Sequence, residues 1–193
     1  MQTRRLALLA AAPAFALALA ASAPAIAAGK FKLTSNEIKP NSTLTNKQVF
    51  NSFGCTGENL SPHLAWTDPP EGTKSFVLTV YDPDAPTGSG WWHWVVYDIP
   101  AAITELPAGA GSGKADLPKG ASQGRTDFGS KGFGGACPPP GDKPHRYIFT
   151  LHALKVEKLE VPPDASAAMI GFMTNANSIG KATFTAKYSR PKQ

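Results

Sequence analysis

Along the chain, β-branched and aromatic residues recur in short alternating runs, and only one stretch carries helical spacing. The runs predict strands over residues 31–34, 47–50, 75–81, 93–99, 146–154 and 181–188. After Pro162-Pro163-Asp164, residues Ala165, Ala168, Met169, Phe172 and Ala176 recur every three to four positions, which predicts a helix from about Ser166 to Ala176. Eighteen prolines and eighteen glycines among 193 residues cut the remainder into turns, so the expected fold is mainly β, with many short strands and one or two short helices. Residues 106–142 hold Gly, Pro, Ser, Lys and Asp with little apolar pattern. That is too long for an ordinary connection, and such loops are usually functional or mobile.

The first residues change the picture of where this fold works. Arg4 and Arg5 precede an alanine-rich apolar run that ends in Ala25-Ile26-Ala27, the pattern of a cleavable secretory signal over residues 1–27. The run is broken by Pro13 and Pro24 and is too short for a membrane span, which needs about 20 strongly apolar residues. An exported protein, periplasmic or secreted, with no stable membrane anchor is expected. Residues 28–193 then form one domain, since neither an internal repeat nor a second composition regime is visible.

Removing two arginines lowers the formal charge from +5 to 5 − 2 = +3. With Lys114, Lys119, Arg125 and Lys131 merely scattered, no basic tract for nucleic acid is present. Cys55 and Cys137 would meet an oxidising compartment, where a disulfide is the favoured state. Their number and spacing exclude a C-x-x-C redox motif or a cysteine-rich zinc site.

Three polar clusters lie where predicted strands meet loops: Asp82-Pro83-Asp84-Ala85-Pro86, Trp91-Trp92-His93-Trp94 and His145-Arg146-Tyr147. Period-two geometry puts His145 and Tyr147 on the face of Phe149 and Leu151, and Asp82 on the face of Phe76, Leu78 and Val80. A carboxylate at the mouth of the core could orient His93 or His145 and favour its protonated form, ready to donate to an oxyanion. Cys137-Pro138-Pro139-Pro140 should form a stiff wall, and Gly132, Gly134 and Gly135 should offer backbone amides. His63, His152 and most of the tryptophan cluster are expected to serve packing.

Taken in order, Gly57-Glu58-Asn59-Leu60-Ser61-Pro62, Tyr81 through Pro86, Trp92-His93-Trp94 and Gly134 through Tyr147 resemble the phosphatidylethanolamine-binding protein family, in its bacterial Raf-kinase-inhibitor-like branch. The resemblance covers residues 31–188. It implies a β-sandwich with a large central, mostly antiparallel sheet and no second domain. It also implies a pocket for phosphate, phosphoethanolamine headgroups and related small anions, with no cofactor and no covalent chemistry. Residue by residue, the pocket's acid falls on Asp82, its histidines on His93 and His145, its tyrosine on Tyr147, and wall positions on Trp91 and Pro139. The animal members' extra C-terminal helix has no counterpart after Tyr188, so a more open rim is expected. Their cytosolic kinase partner is not carried over to an exported chain.

Two other classes compete. The 106–142 loop could engage a protein partner, as an inhibitor does. One carboxylate and two histidines could instead hold a metal for hydrolysis. Gly120 through Gly124 spells G-x-S-x-G, but without the strand before and helix after that a nucleophile elbow needs. Gly109 through Lys114 only approximates a phosphate loop, with Ala115 where Ser or Thr should stand.

Overall fold

A computed structural model describes residues 29–192; the expected export signal at residues 1–27 lies outside them. Among the described residues no helix is long and apolar enough to cross a membrane. Eight strands among the described residues form two antiparallel sheets. β1 (Lys32–Thr34), β2 (Leu64–Thr67) and β5 (Glu105–Leu106) make the small one, in the order β1-β2-β5. The large one runs β6-β4-β3-β7-β8, from β3 (Ser75–Asp82), β4 (Trp91–Pro100), β6 (Ser122–Gln123), β7 (His145–Leu154) and β8 (Ser178–Tyr188).

Strand β3 is central and covered on both faces, which is why Ser75 through Tyr81 reads as a nearly continuous apolar run. Phe76, Leu78 and Val80 face the small sheet and join Leu33, Trp66, Leu106, Phe149 and Phe184 in the main core. Val77 points the other way, with Val95, Tyr97 and Leu154, under the helix α1 (Ala167–Asn177). Phe149 and Phe184 sit directly opposite each other on β7 and β8 and stack at 4.8 Å.

The helix begins where expected, with the Ser166 side chain capping the Met169 amide at 3.3 Å. Its buried face is different from the one the spacing marked. Ala167, Ile170 and Thr174 are buried, whereas Met169 and Phe172 are exposed. Gly124 is the physical reason: a Cβ there would collide with Ile170, so the missing side chain makes the socket into which the helix docks.

The strand expected at residues 47–50 is instead one turn of 3-10 helix, Asn46–Gln48. Local bonds from Gln48 N to the Thr45 carbonyl and from the Thr45 hydroxyl to Gln48 Oε1 outcompete pairing, and only Val49 bridges to Ala136. Strand β2, preceded by Ser61-Pro62, is too short to show its period in the sequence.

The 106–142 segment is not an open loop. It carries β5's end, a 3-10 turn at Ala110–Ser112, β6, and Phe133 and Ala136 buried in the main core. The Gly57 to Pro62 element holds it in place. Asn59 accepts from the Gly135 amide at 2.7 Å and donates to the Phe133 carbonyl at 3.2 Å, while Ser61 Oγ accepts from the Gly111 amide at 2.8 Å. Ser122 of the G-x-S-x-G string pairs with Tyr97 across β6 and β4, so it lies on a strand and not at an elbow.

Candidate functional site

At one end of the large sheet, β3, β4 and β7 deliver their last or first residues to a single cavity of about 160 Å³. Asp82, His93, His145 and Tyr147 all line it. So do Trp91 and Pro139, with Pro138 of the expected wall and Pro86 of the Asp82 cluster, and also Phe53 and Phe128, which the sequence pattern does not single out. Phe53 and Phe128 are separated by 75 positions and lie in irregular backbone, so no periodicity could have joined them; in the fold their rings stack at 5.9 Å.

Alternation places Asp82 and Tyr147 on the core face, but not His93. Val80 pairs with Trp94 and Tyr81 with Trp92, which leaves His93 as an extra, bulged residue on β4. The bulge turns the imidazole to the side of Tyr147, and the two rings meet edge to face at 5.1 Å. Trp92 goes to the opposite face against Tyr81, and Trp94 is buried with its Nε1 donating to Gln123 at 2.7 Å. Of the three tryptophans only Trp91 reaches the cavity.

Asp82 is buried and fully engaged. Its Oδ1 accepts from the Asp84 amide at 2.8 Å, the Asx-turn that the Asp-Pro-Asp sequence favours, and its Oδ2 lies 2.7 Å from His145 Nδ1. Of the two histidines considered as its partner, Asp82 therefore orients His145. Asp84 is clamped by Nε and Nη2 of Arg146, at 2.9 and 2.7 Å, and this hydrogen bonding holds its carboxyl at about 2, below the usual range. The Arg of the His-Arg-Tyr element thus ties the turn to β7 while its neighbours face the cavity.

His93 corrects the expectation of a protonated donor. Its Nδ1 sits 2.7 Å from the Gly134 carbonyl, which can only accept, so Nδ1 carries the hydrogen and Nε2 of the neutral ring is an acceptor. Burial holds its pKa below 6.5, against the raising influence of that carbonyl and of Asp82. Two of the three expected glycine amides are also spent: Gly134 N donates to the His93 carbonyl and Gly135 N to Asn59.

Tyr147 is the opposite case. It is 2% exposed, and its hydroxyl is buried without a hydrogen-bond partner among the described residues. Burial, with the Asp82 charge second, pushes its pKa up, so it remains a phenol able to donate. His63 and His152 lie elsewhere. The first is near Glu105 at 3.3 Å, and the second beneath α1 is held at about 4 by burial and by Lys181. The described residues contain no group of three His, Cys, Asp or Glu side chains arranged to hold a metal. Cys137 of the wall is bonded to Cys55.

A mainly β, two-sheet domain with a preformed cavity at the strand ends is the class that fold and site define. The family model for phosphatidylethanolamine-binding protein matches residues 34–189, and the chain belongs to that family. It is 59% identical over 162 residues to the UPF0098 protein YbcL of Escherichia coli, covering 83% of this chain and 88% of that one. Identity to the UPF0098 protein YbhB of the same organism is 54% over 158 residues, covering 82% and 99%. The crystal structure of Escherichia coli YbcL, described as a member of the mammalian PEBP family, superimposes with a TM-score of 0.81 at 58% identity, over 83% of this chain and 99% of that one.

Proposed function

We propose that the cavity binds a small anion of the phosphate or phosphoethanolamine type, without covalent chemistry and without a cofactor, in an exported protein. The observation that carries this reading is Tyr147, which lines the cavity and whose buried hydroxyl has no hydrogen-bond partner among the described residues. Leaving such a group unmet costs about 1–3 kcal/mol, and an oxyanion would meet it. The cavity is smaller than the roughly 300–1,000 Å³ clefts that bury drug-sized ligands, which fits a headgroup-sized guest.

Family membership supports small-ligand binding in general. The proposed binding without covalent chemistry goes with how the lining groups are engaged. The Thr87 hydroxyl is tied to the Gly90 carbonyl, Cys137 is oxidised, and both nitrogens of His145 face carboxylates. The disulfide supports export to an oxidising compartment.

Calorimetric titration with inorganic phosphate tests the reading. A Kd between about 1 μM and 1 mM is expected, and Tyr147→Phe should weaken it about fivefold to tenfold with the melting temperature unchanged or raised, because a solitary buried hydroxyl is removed. Equal affinities for the two proteins would remove the basis of the assignment.

A pH dependence follows from His93. With Nδ1 fixed as donor, contact between Nε2 and a phosphate oxygen needs one proton between them. In the free protein His93 is held below 6.5, so whenever the phosphate dianion binds, that proton is taken up from solution. Affinity should therefore rise as pH falls from 8 to 7, by as much as about tenfold for one linked proton. Titrations in two buffers of different ionisation enthalpy measure the uptake directly, and proton release would contradict the arrangement.

A further inference from the structure

His145 has two ring nitrogens and a carboxylate at each. Asp82 holds Nδ1 at 2.7 Å; Asp142 places its Oδ2 3.3 Å from Nε2. The imidazole is 4% exposed, whereas Asp142 is 42% exposed, so the second contact reaches in from the solvent side.

The backbone fixes this contact. Pro139-Pro140-Gly141-Asp142 is a tight turn in which Gly141 takes φ +87° and the Asp142 amide donates to the Pro139 carbonyl at 3.3 Å. Proline followed by a residue in the left-handed region is the sequence demand of a type II turn. Its far side is pinned by the Gly141 amide on the Arg190 carbonyl at 3.1 Å, and its near side, Pro139, is cavity wall. Asp142 is therefore presented to Nε2 by a braced turn, three residues ahead of His145.

Nε2 is the one polar edge of His145 that Asp82 leaves over, and Asp142 already gives it what a ligand oxyanion would give: an oxygen acceptor carrying negative charge. Two such groups cannot both take the same N–H, and they repel each other. Building on the anion pocket proposed above, we infer that Asp142 is a specificity-determining residue, an internal competitor for His145 that disfavours simple oxyanions and admits phosphates carrying their own cationic group. An ammonium on the ligand offsets the Asp142 carboxylate at the point where the phosphate takes its place. On displacement the carboxylate remains in the outer groove it shares with Lys143, Arg146, Lys187 and the Arg146-paired Asp84, so it stays solvated and close to net positive charge.

The test compares inorganic phosphate with phosphoethanolamine, by calorimetry at fixed pH, on the wild type, Asp142→Ala and Asp142→Asn. Asp142→Ala should bind inorganic phosphate about tenfold more tightly than the wild type and phosphoethanolamine within about twofold of it, which erases the discrimination. Asp142→Asn, which keeps the shape and loses the charge, should fall between. If the wild type binds phosphate and both variants bind it equally or more weakly, Asp142 is no competitor and the inference fails while the pocket stands. If no form binds either ligand, the pocket reading fails and takes the inference with it. Melting temperatures of the three proteins show whether each variant keeps its fold.

Discussion

Asp82→Ala is expected to eliminate measurable phosphate binding and to destabilise the protein by about 1–3 kcal/mol, the cost of leaving a buried polar group without its partner. Two separate structures depend on this carboxylate. Oδ2 holds His145 Nδ1 at 2.7 Å with both side chains almost wholly buried, so truncation leaves a polar ring without its acceptor in a site that water enters poorly. Oδ1 holds the Asp84 amide, so the turn that carries Pro86 and Thr87 to the cavity loses its brace. Asp82→Asn separates the contributions. It keeps an oxygen for the Asp84 amide and a shape near that of the original, and should recover part of the stability while binding phosphate poorly. Urea unfolding midpoints and calorimetry of the three proteins measure both effects. A midpoint for Asp82→Ala equal to that of the wild type would show that the pair contributes nothing net.

The sequence shows where these side chains come from better than what they can do. Asp82, His145 and Tyr147 can be placed by counting in twos, because each sits on a regular strand whose other residues, Val80 and Phe149 among them, are core. His93 cannot, because it is itself the bulged residue at which the count resets. Its hydrogen-bonding role is further from reach. Nε2 becomes an acceptor only because a carbonyl 41 residues away, at Gly134, claims Nδ1.

The same distance in sequence hides the helix face. Spacing finds the helix, but Ile170 is chosen for burial by a glycine on another segment, leaving Phe172 at 73% exposure. Local pattern specifies element and period; which donor is spent and which face docks is decided by partners that no local window contains.

The double variant Cys55→Ala/Cys137→Ala is expected to lose about 4–5 kcal/mol of stability, because its disulfide closes a loop of 82 residues and chain-closure entropy grows with loop length. That loop holds β2 to β6, so the bond ties the segment between the 3-10 turn and β2 to the proline wall after β6. The effect should extend to the cavity. Phe53 has φ +55°, a conformation that a bulky side chain rarely adopts, and its ring is 66% exposed over the mouth.

Besides the disulfide, Arg190 fastens this turn to the wall, donating to the Gly54 carbonyl at 3.1 Å and to the Pro138 carbonyl at 3.3 Å. With the covalent tie gone, Arg190 is left as the side-chain tie between the Phe53 turn and Pro138, beside the backbone bridge of Val49 to Ala136, and phosphate affinity should drop several-fold even where the fold survives. Adding Arg190→Ala to the double variant should weaken binding again, whereas Arg190→Ala with the disulfide intact should change it little, since one tie suffices. Equal urea midpoints for the wild type and the double variant would defeat the entropic argument. Strict additivity of the three substitutions in phosphate affinity would show that the two ties do not restrain the same wall.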